Sequence, residues 1–281
     1  MRASNSAKEI LYQFIRDNDI SLLRYHFKYF FHYYILKYNI QVIPHHFSNQ
    51  KIEGLTIIDK LGISFSYDKN SPKVKQNFTL CHELGHFIMN HEGNFFTESV
   101  DNQENILERE ANIFSSVILM PDIVLLSKIY YSCDSFTQLR ANLEVSKQAL
   151  YFRLLDLLRS YYPNNNEDLR HIIEAYKNGQ NASIILLFHD IKNQIINEFN
   201  QYQPCFVNQI KNVIRNTGFV TSQDFPELLN QENWDIFKRN CSNLKIWLVY
   251  NKGKSIAYVW DKNKLSDKEA RKKAELQLLL I

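Results

Sequence analysis

Glycine and proline are scarce in this chain, with seven and six in 281 residues. So few breakers exclude collagen-like repeats, long Gly-rich loops and disordered linkers. Cysteine is scarce as well. Cys81, Cys133, Cys205 and Cys241 lie far apart and form no Cys-x-x-Cys pair, so they read as free thiols of a reducing cytosol rather than a disulfide framework. Neither sign of charge dominates: 33 basic against 30 acidic residues leave a net +3. That balance gives no reason to expect direct DNA binding or a membrane surface, although it leaves room for a local patch. No internal repeat is visible, and "MRASNSAKEILYQF" contains no apolar signal core. The aromatic run "LLRYHFKYFFHYYILKYNI" is interrupted by Arg24, Lys28, Lys37 and two histidines. It reads as a buried amphipathic helix, because charges at a bilayer centre are costly.

What is present is a chain long enough for two domains with full cores. Residues 6–39 carry apolar positions at helical spacing, and "IQVIPHH" is a short strand closed by Pro44. "GLTIID" and "GISFSYD", separated by Lys60 and Leu61, pair as a hairpin. A helix follows the loop "KNSPKVKQ", and a second long helix begins near Ile106 after a loop around "EGNFFTESVDNQEN". Pro121 ends it. The chain to Ser160 is helical again, with a helix–turn–helix look in "FTQLRANLEVSKQALYFRLLDLL". "YYPNNNEDL" breaks the periodicity and marks a boundary. The expected division is 1–120, 121–162 and 163–281. In the last part "ASIILLFHDIKNQIINEF" is strand or helix, "LKIWLVY-NKGK-SIAYVW" is a hairpin, and a charged helix follows Ser266 as N-cap.

The chemistry concentrates in "FTLCHELGHFIMNH". On a helix, residues i and i+4 share a face, so His82 and His86 can present two imidazoles to one ion. Glu83, beside that face, can reach a water bound to the ion and act as general base. A catalytic zinc takes three protein ligands and keeps one position for water. The run "LEREAN" offers Glu108 or Glu110 as the third, with Asn112 one turn beyond Glu108 to orient a histidine.

"FTLCHELGHFIMNH" followed by "EREANIFSSVILMP" resembles the ImmA/IrrE family of metallopeptidases over about residues 20–160. The resemblance implies an α+β, zincin-like metallopeptidase domain: a small sheet, the His-Glu-x-x-His helix and a glutamate helix. It adds a helical tail, and a separate C-terminal α/β region follows. It implies one Zn2+ per chain on His82, His86 and Glu108, with Glu83 as the general base. It further implies a cytoplasmic endopeptidase that cleaves a helix-turn-helix repressor, in a stress response or mobile-element induction. Thermolysin-like zincins favour Glu108 over Glu110, since only Glu108 has Asn112 at i+4. The two glutamates point roughly 200° apart on a helix, which sends Glu110 toward solvent. The sequence departs from the family's pattern at Asn77, where similar members often carry a basic residue.

Other candidates carry less. His91 lies about 140° off the ligand face of an ideal helix and reads as a helix-end histidine. His45 and His46 read as an exposed strand end, and Tyr67 as a packed aromatic rather than an oxyanion donor. The recognition-like helix of the tail offers Lys147 and Arg153 amid apolar residues, which suits packing or repressor docking better than DNA. The alternative to an enzyme is an anti-repressor that sequesters its partner without cutting it. Direct transcriptional regulation through the tail is a weaker third.

Overall fold

The computed structural model describes residues 2–46, 52–91, 95–99, 105–251 and 253–280. It divides into two compact units, Met1–Gln203 and Pro204–Ile281.

The first unit opens with α1 (Arg2–Asp17), whose Ala7, Leu11, Phe14 and Ile15 share one buried face. A 3-10 turn at Leu22–Arg24 leads to α2 (Phe27–Tyr38). His26 caps α2 by accepting from the Lys28 N–H, and Asn39, in the left-handed region, ends it. At 12 residues α2 is too short to span a bilayer, and Phe27, Phe30 and Phe31 pack into the core.

Next come β1 (Gln41–His45), β2 (Ile52–Asp59), β3 (Gly62–Asp68), α3 (Lys73–Ile88) and β4 (Phe95–Ser99). The strands form a four-stranded sheet in the order β1-β3-β2-β4. The expected hairpin is β2 with β3, antiparallel, with Thr56 opposite Phe65 and Gly54 opposite Tyr67. β1 runs parallel to β3 and contains Pro44 rather than stopping before it. β4 adds antiparallel to β2. The loop expected around "EGNFFTESVDNQEN" is thus in part a strand; residues 92–94 and 100–104 lie outside the described residues.

α4 (Ile106–Leu119) begins at Asn105, whose side chain accepts from the Leu107 N–H. Met120 leaves helical geometry and Pro121 starts α5 (Asp122–Tyr131). The span Ile106–Tyr131 is apolar enough to cross a membrane, yet 83% of its window is buried inside the structure, so its apolarity serves the core. α4 lies against α3 with Phe114 fully buried. A β-carbon on Gly85 would meet Phe114 at 3.1 Å, so this glycine permits the close approach of the two helices. Phe114→Ala would cost about 3–5 kcal/mol of stability.

α6 (Phe136–Leu143) and α7 (Lys147–Tyr161) are joined by a short turn, as expected. Ser135 and Gln138 form a capping box, and Ser146 caps α7. Leu150, Leu154, Leu155, Leu157 and Leu158 of α7 are buried, so this helix turns much of its surface to the core.

The break at Pro163 is a turn within the first unit, not its end. α8 (Asn166–Lys177), α9 (Ala182–Asp190) and α10 (Lys192–Tyr202) follow, and α9 and α10 resolve the strand-or-helix choice for that stretch as helix. They pack back on earlier elements. The Tyr176 hydroxyl donates to the Asp134 carbonyl at 2.5 Å, and the Leu22 N–H to Gln203 Oε1 at 2.9 Å. Tyr12 and Tyr202 rings lie 4.6 Å apart. The chain therefore divides at Gln203/Pro204.

The second unit contains α11 (Phe206–Thr217), β5 (Phe219–Thr221), a 3-10 turn at Pro226–Leu229, α12 (Glu232–Asn240), β6 (Leu244–Asn251), β7 (Lys254–Asp261) and α13 (Asp267–Leu280). Its sheet order is β5-β7-β6, all antiparallel. Ser266 caps α13 through the Glu269 N–H, and Glu269 returns a bond to the Ser266 N–H. One sheet face packs Val220, Ile246 and Val259 with α11 and α12 residues, and the other packs Ile256, Tyr258 and Trp260 with Ala270 and Ala274 of α13.

Candidate metal centre

α3 and α4 bring three side chains together: His82, His86 and Glu108, all buried, with one ligand atom each within 4.8 Å of the others. His82 Nε2 lies 3.0 Å from His86 Nε2 and 3.1 Å from Glu108 Oε2, and His86 Nε2 lies 3.6 Å from Glu108 Oε1. Ligands held at about 2.0–2.1 Å in tetrahedral geometry stand about 3.3 Å apart. The triangle has the dimensions of such a site, and its donors, two imidazole nitrogens and a carboxylate, suit a borderline divalent ion.

The far nitrogens of both rings are also engaged. His82 Nδ1 sits 2.9 Å from Asn112 Oδ1, the contact expected from the i+4 spacing of Glu108 and Asn112. His86 Nδ1 sits 2.8 Å from His91 Nδ1, and His91 Nε2 is 3.3 Å from Glu110 Oε2. These contacts assign tautomers. For His82 Nε2 and His86 Nε2 to offer lone pairs to an ion, each Nδ1 must carry the proton. His82 then donates to Asn112. His86 donates to His91, and His91 carries its own proton on Nε2, facing Glu110. His91 is thus at the helix end, as expected, but it also orients a candidate ligand. Glu110 is half-buried against His91 rather than turned to water.

Burial pushes the Glu108 carboxyl up, but in the metal-free site hydrogen bonds and charge from protonated His82 and His86 outweigh it and bring it down to about 2. Cys81, on the same helix, is fully buried, and burial drives its thiol far above the usual range, which keeps it protonated and inert.

Glu83 is fully buried. Thr56, on β2 and equally buried, donates its hydroxyl to Glu83 Oε2 at 2.5 Å. Gly54, two residues earlier on the same strand, gives the carboxylate its space: a β-carbon there would lie 2.4 Å from Glu83 Oε1. The strand thus fixes the acid while the helices assemble the triangle. Sequence reasoning missed both strand residues, because nothing in "GLTIID" marks which positions face α3.

Among the described residues, neither His45 nor His46 joins the triangle. His46 is exposed and bonded to Asn70 at 2.6 Å. Tyr67 is half-buried on β3, opposite Gly54, and packs against the core. Asn77, where the chain departs from the family's pattern, is buried and donates to both the carbonyl and the carboxylate of Glu144, at 3.2 and 3.1 Å. It ties the turn before α7 to the helix that carries the histidines.

The Peptidase M78 description, an IrrE N-terminal-like domain, matches residues 36–155, from the end of α2 into α7. No curated protein matches the chain.

Proposed function

Residues 36–155 match the IrrE N-terminal-like, Peptidase M78 family model, and from that match we propose a zinc-dependent endopeptidase of the cytoplasm that cleaves a helix-turn-helix repressor and so relieves repression. The observation that carries this reading is the buried His82–His86–Glu108 triangle beside a Glu83 that has its own hydrogen-bond donor. A zinc ion held there supplies, when bound, Lewis acidity toward the scissile carbonyl and a bound water acidic enough to deprotonate near neutral pH.

The chain's own contribution is orientation and proton handling. Asn112 and His91 hold the two imidazoles with their Nε2 lone pairs inward. Glu83 takes the proton of the attacking water and delivers it to the leaving amine. Thr56 fixes one oxygen of that carboxylate. The substrate backbone must be extended to reach such a site, since helices hide their amides in internal bonds. Capture along β3 is not available: β1 occupies one side of it and β2 the other. β4 pairs with β2 alone among the described residues, and a linker between the repressor's domains would add to its outer edge.

The sequestering alternative lacks such support, since a site that only binds has no use for a buried, positioned base. Glu83→Gln separates the two. With the repressor co-expressed and its fragments weighed by mass spectrometry, this variant should keep its zinc and its partner but not cut. Cutting at the wild-type rate would remove Glu83 from the mechanism.

A further inference from the structure

The near-neutral charge of the whole chain is the sum of two unlike parts. Residues 1–203 hold twenty basic and twenty-two acidic side chains, net −2, whereas residues 204–281 hold thirteen and eight, net +5. The positive charge therefore belongs to the second unit, for which the peptidase has no assigned use.

That unit also has a cavity of about 540 Å3 at the open edge of its sheet. Among the described residues β6 pairs only with β7, so its outer side is unpartnered. Trp247 on β6 is 60% exposed, an unusual state for so large an apolar ring. Its cross-strand neighbour is Tyr258, and Tyr258 stacks on Trp260 at 5.1 Å and 23°. These three rings line one side of the cavity, while Lys238, Lys245 and Arg271 supply cations and Asp267 is the acid among the lining residues. Lys245 is paired with Asp267 at 2.7 Å, Arg271 with Glu275 at 2.9 Å and Lys238 with Asp235 at 3.7 Å. All six side chains are about half exposed or more, and exposed pairs are worth about 0–1 kcal/mol, so a phosphate can replace any of the carboxylates.

An exposed indole backed by stacked rings, ringed by cations, on a unit of excess positive charge is the combination that binds unpaired nucleobases and their phosphates. We infer that the second unit binds single-stranded nucleic acid, with a base stacked on Trp247 and the flanking phosphates held by Lys245, Arg271 and Lys238. A duplex keeps its base faces covered, so the aromatic contact selects single strands. The whole-chain charge gives no reason to expect direct DNA binding but leaves room for a local patch, and the excess charge of this unit provides one. α6 and α7 have no part in the contact.

The test is fluorescence anisotropy of a labelled oligo(dT), about 15 nucleotides long, titrated with the full chain. Binding should weaken with salt, with a log–log slope near −0.7 per phosphate held. Trp247→Ala should lower affinity roughly five- to hundred-fold and Trp247→Phe should restore most of it. Arg271→Gln should flatten the salt slope by about 0.7. Both positions are exposed, so folding is not at stake. No binding at physiological salt would overturn the inference. So would equal affinity for a duplex of the same length, indifference to Trp247→Ala, or attachment only to vesicles of anionic lipid.

Discussion

Gly54→Ala puts one methyl group beside the proposed general base. The new carbon would lie 2.4 Å from Glu83 Oε1, 2.5 Å from Thr79 Cγ2 and 3.2 Å from Glu83 Cδ. Comfortable contact begins at about 3.5 Å, so something must yield by about 1 Å. β2 is pinned on one side by β3 and on the other by β4. Thr79 is β-branched and buried, hence stiff. The carboxylate, at the end of the longer side chain, moves. A shift of about 1 Å stretches the 2.5 Å Thr56–Glu83 bond to the limit of hydrogen bonding. Misplacing a reacting group by that distance costs on the order of 100-fold in rate, or about 2.7 kcal/mol of transition-state stabilisation. Overpacking costs a further ~1–3 kcal/mol of stability, which at about 2–4 °C per kcal/mol lowers Tm by roughly 2–12 °C. Thr79, His82, Glu83 and His86 share α3, so a shift of that helix away from position 54 would show as lost zinc, and retained zinc confines the effect to Glu83. Three measurements on one purified variant decide the outcome: zinc after dialysis, Tm, and the rate of repressor cleavage. Full zinc with a cleavage rate equal to wild type would refute the account of Glu83.

Other substitutions separate the roles around the triangle. Glu108→Ala should lose metal on dialysis well beyond the roughly 10–100-fold typical of outer partners, while Glu110→Ala should lose far less; the reverse order would overturn the ligand assignment. His91→Ala should weaken zinc affinity about 10–100-fold in a chelator competition, because His86 loses the acceptor that fixes its tautomer. An unchanged affinity would show that the His86–His91 contact orients nothing.

The juxtaposition of His82, His86 and Glu108 was legible because its logic is local. His82 and His86 stand one helical turn apart whatever surrounds them, and Glu108 is singled out by Asn112 on its own helix. The β2–β3 and β6–β7 hairpins were legible for the same reason: turn and strands are contiguous. What was missed depends on departures from ideal geometry or on distant pairing. An ideal helix continued to His91 turns it away from the ligand face, but α3 ends at Ile88 and Asn90 turns into the left-handed region at φ 53°. That turn lets the His91 N–H bond back to the His86 carbonyl at 3.1 Å and swings the ring onto His86. β1 pairs in parallel with a strand beyond its neighbour, a crossover that no short window of sequence reveals. Pro163 does break a helix, but α8 carries Leu169, Ile173 and Tyr176 at helical spacing and buries them in the first core. Composition marked the turn without saying on which core the next helix would land.

Glu83 is held from the sheet, by Thr56 and Gly54, and the metal donors are held from helices, by Asn112 and His91. The two supports share no residue, so they are separately heritable. If the chain is the proposed peptidase, one substitution at position 56 would remove hydrolysis and leave the helix-borne donors in place. Cutting and sequestering would then be neighbours in sequence space, a single codon change apart.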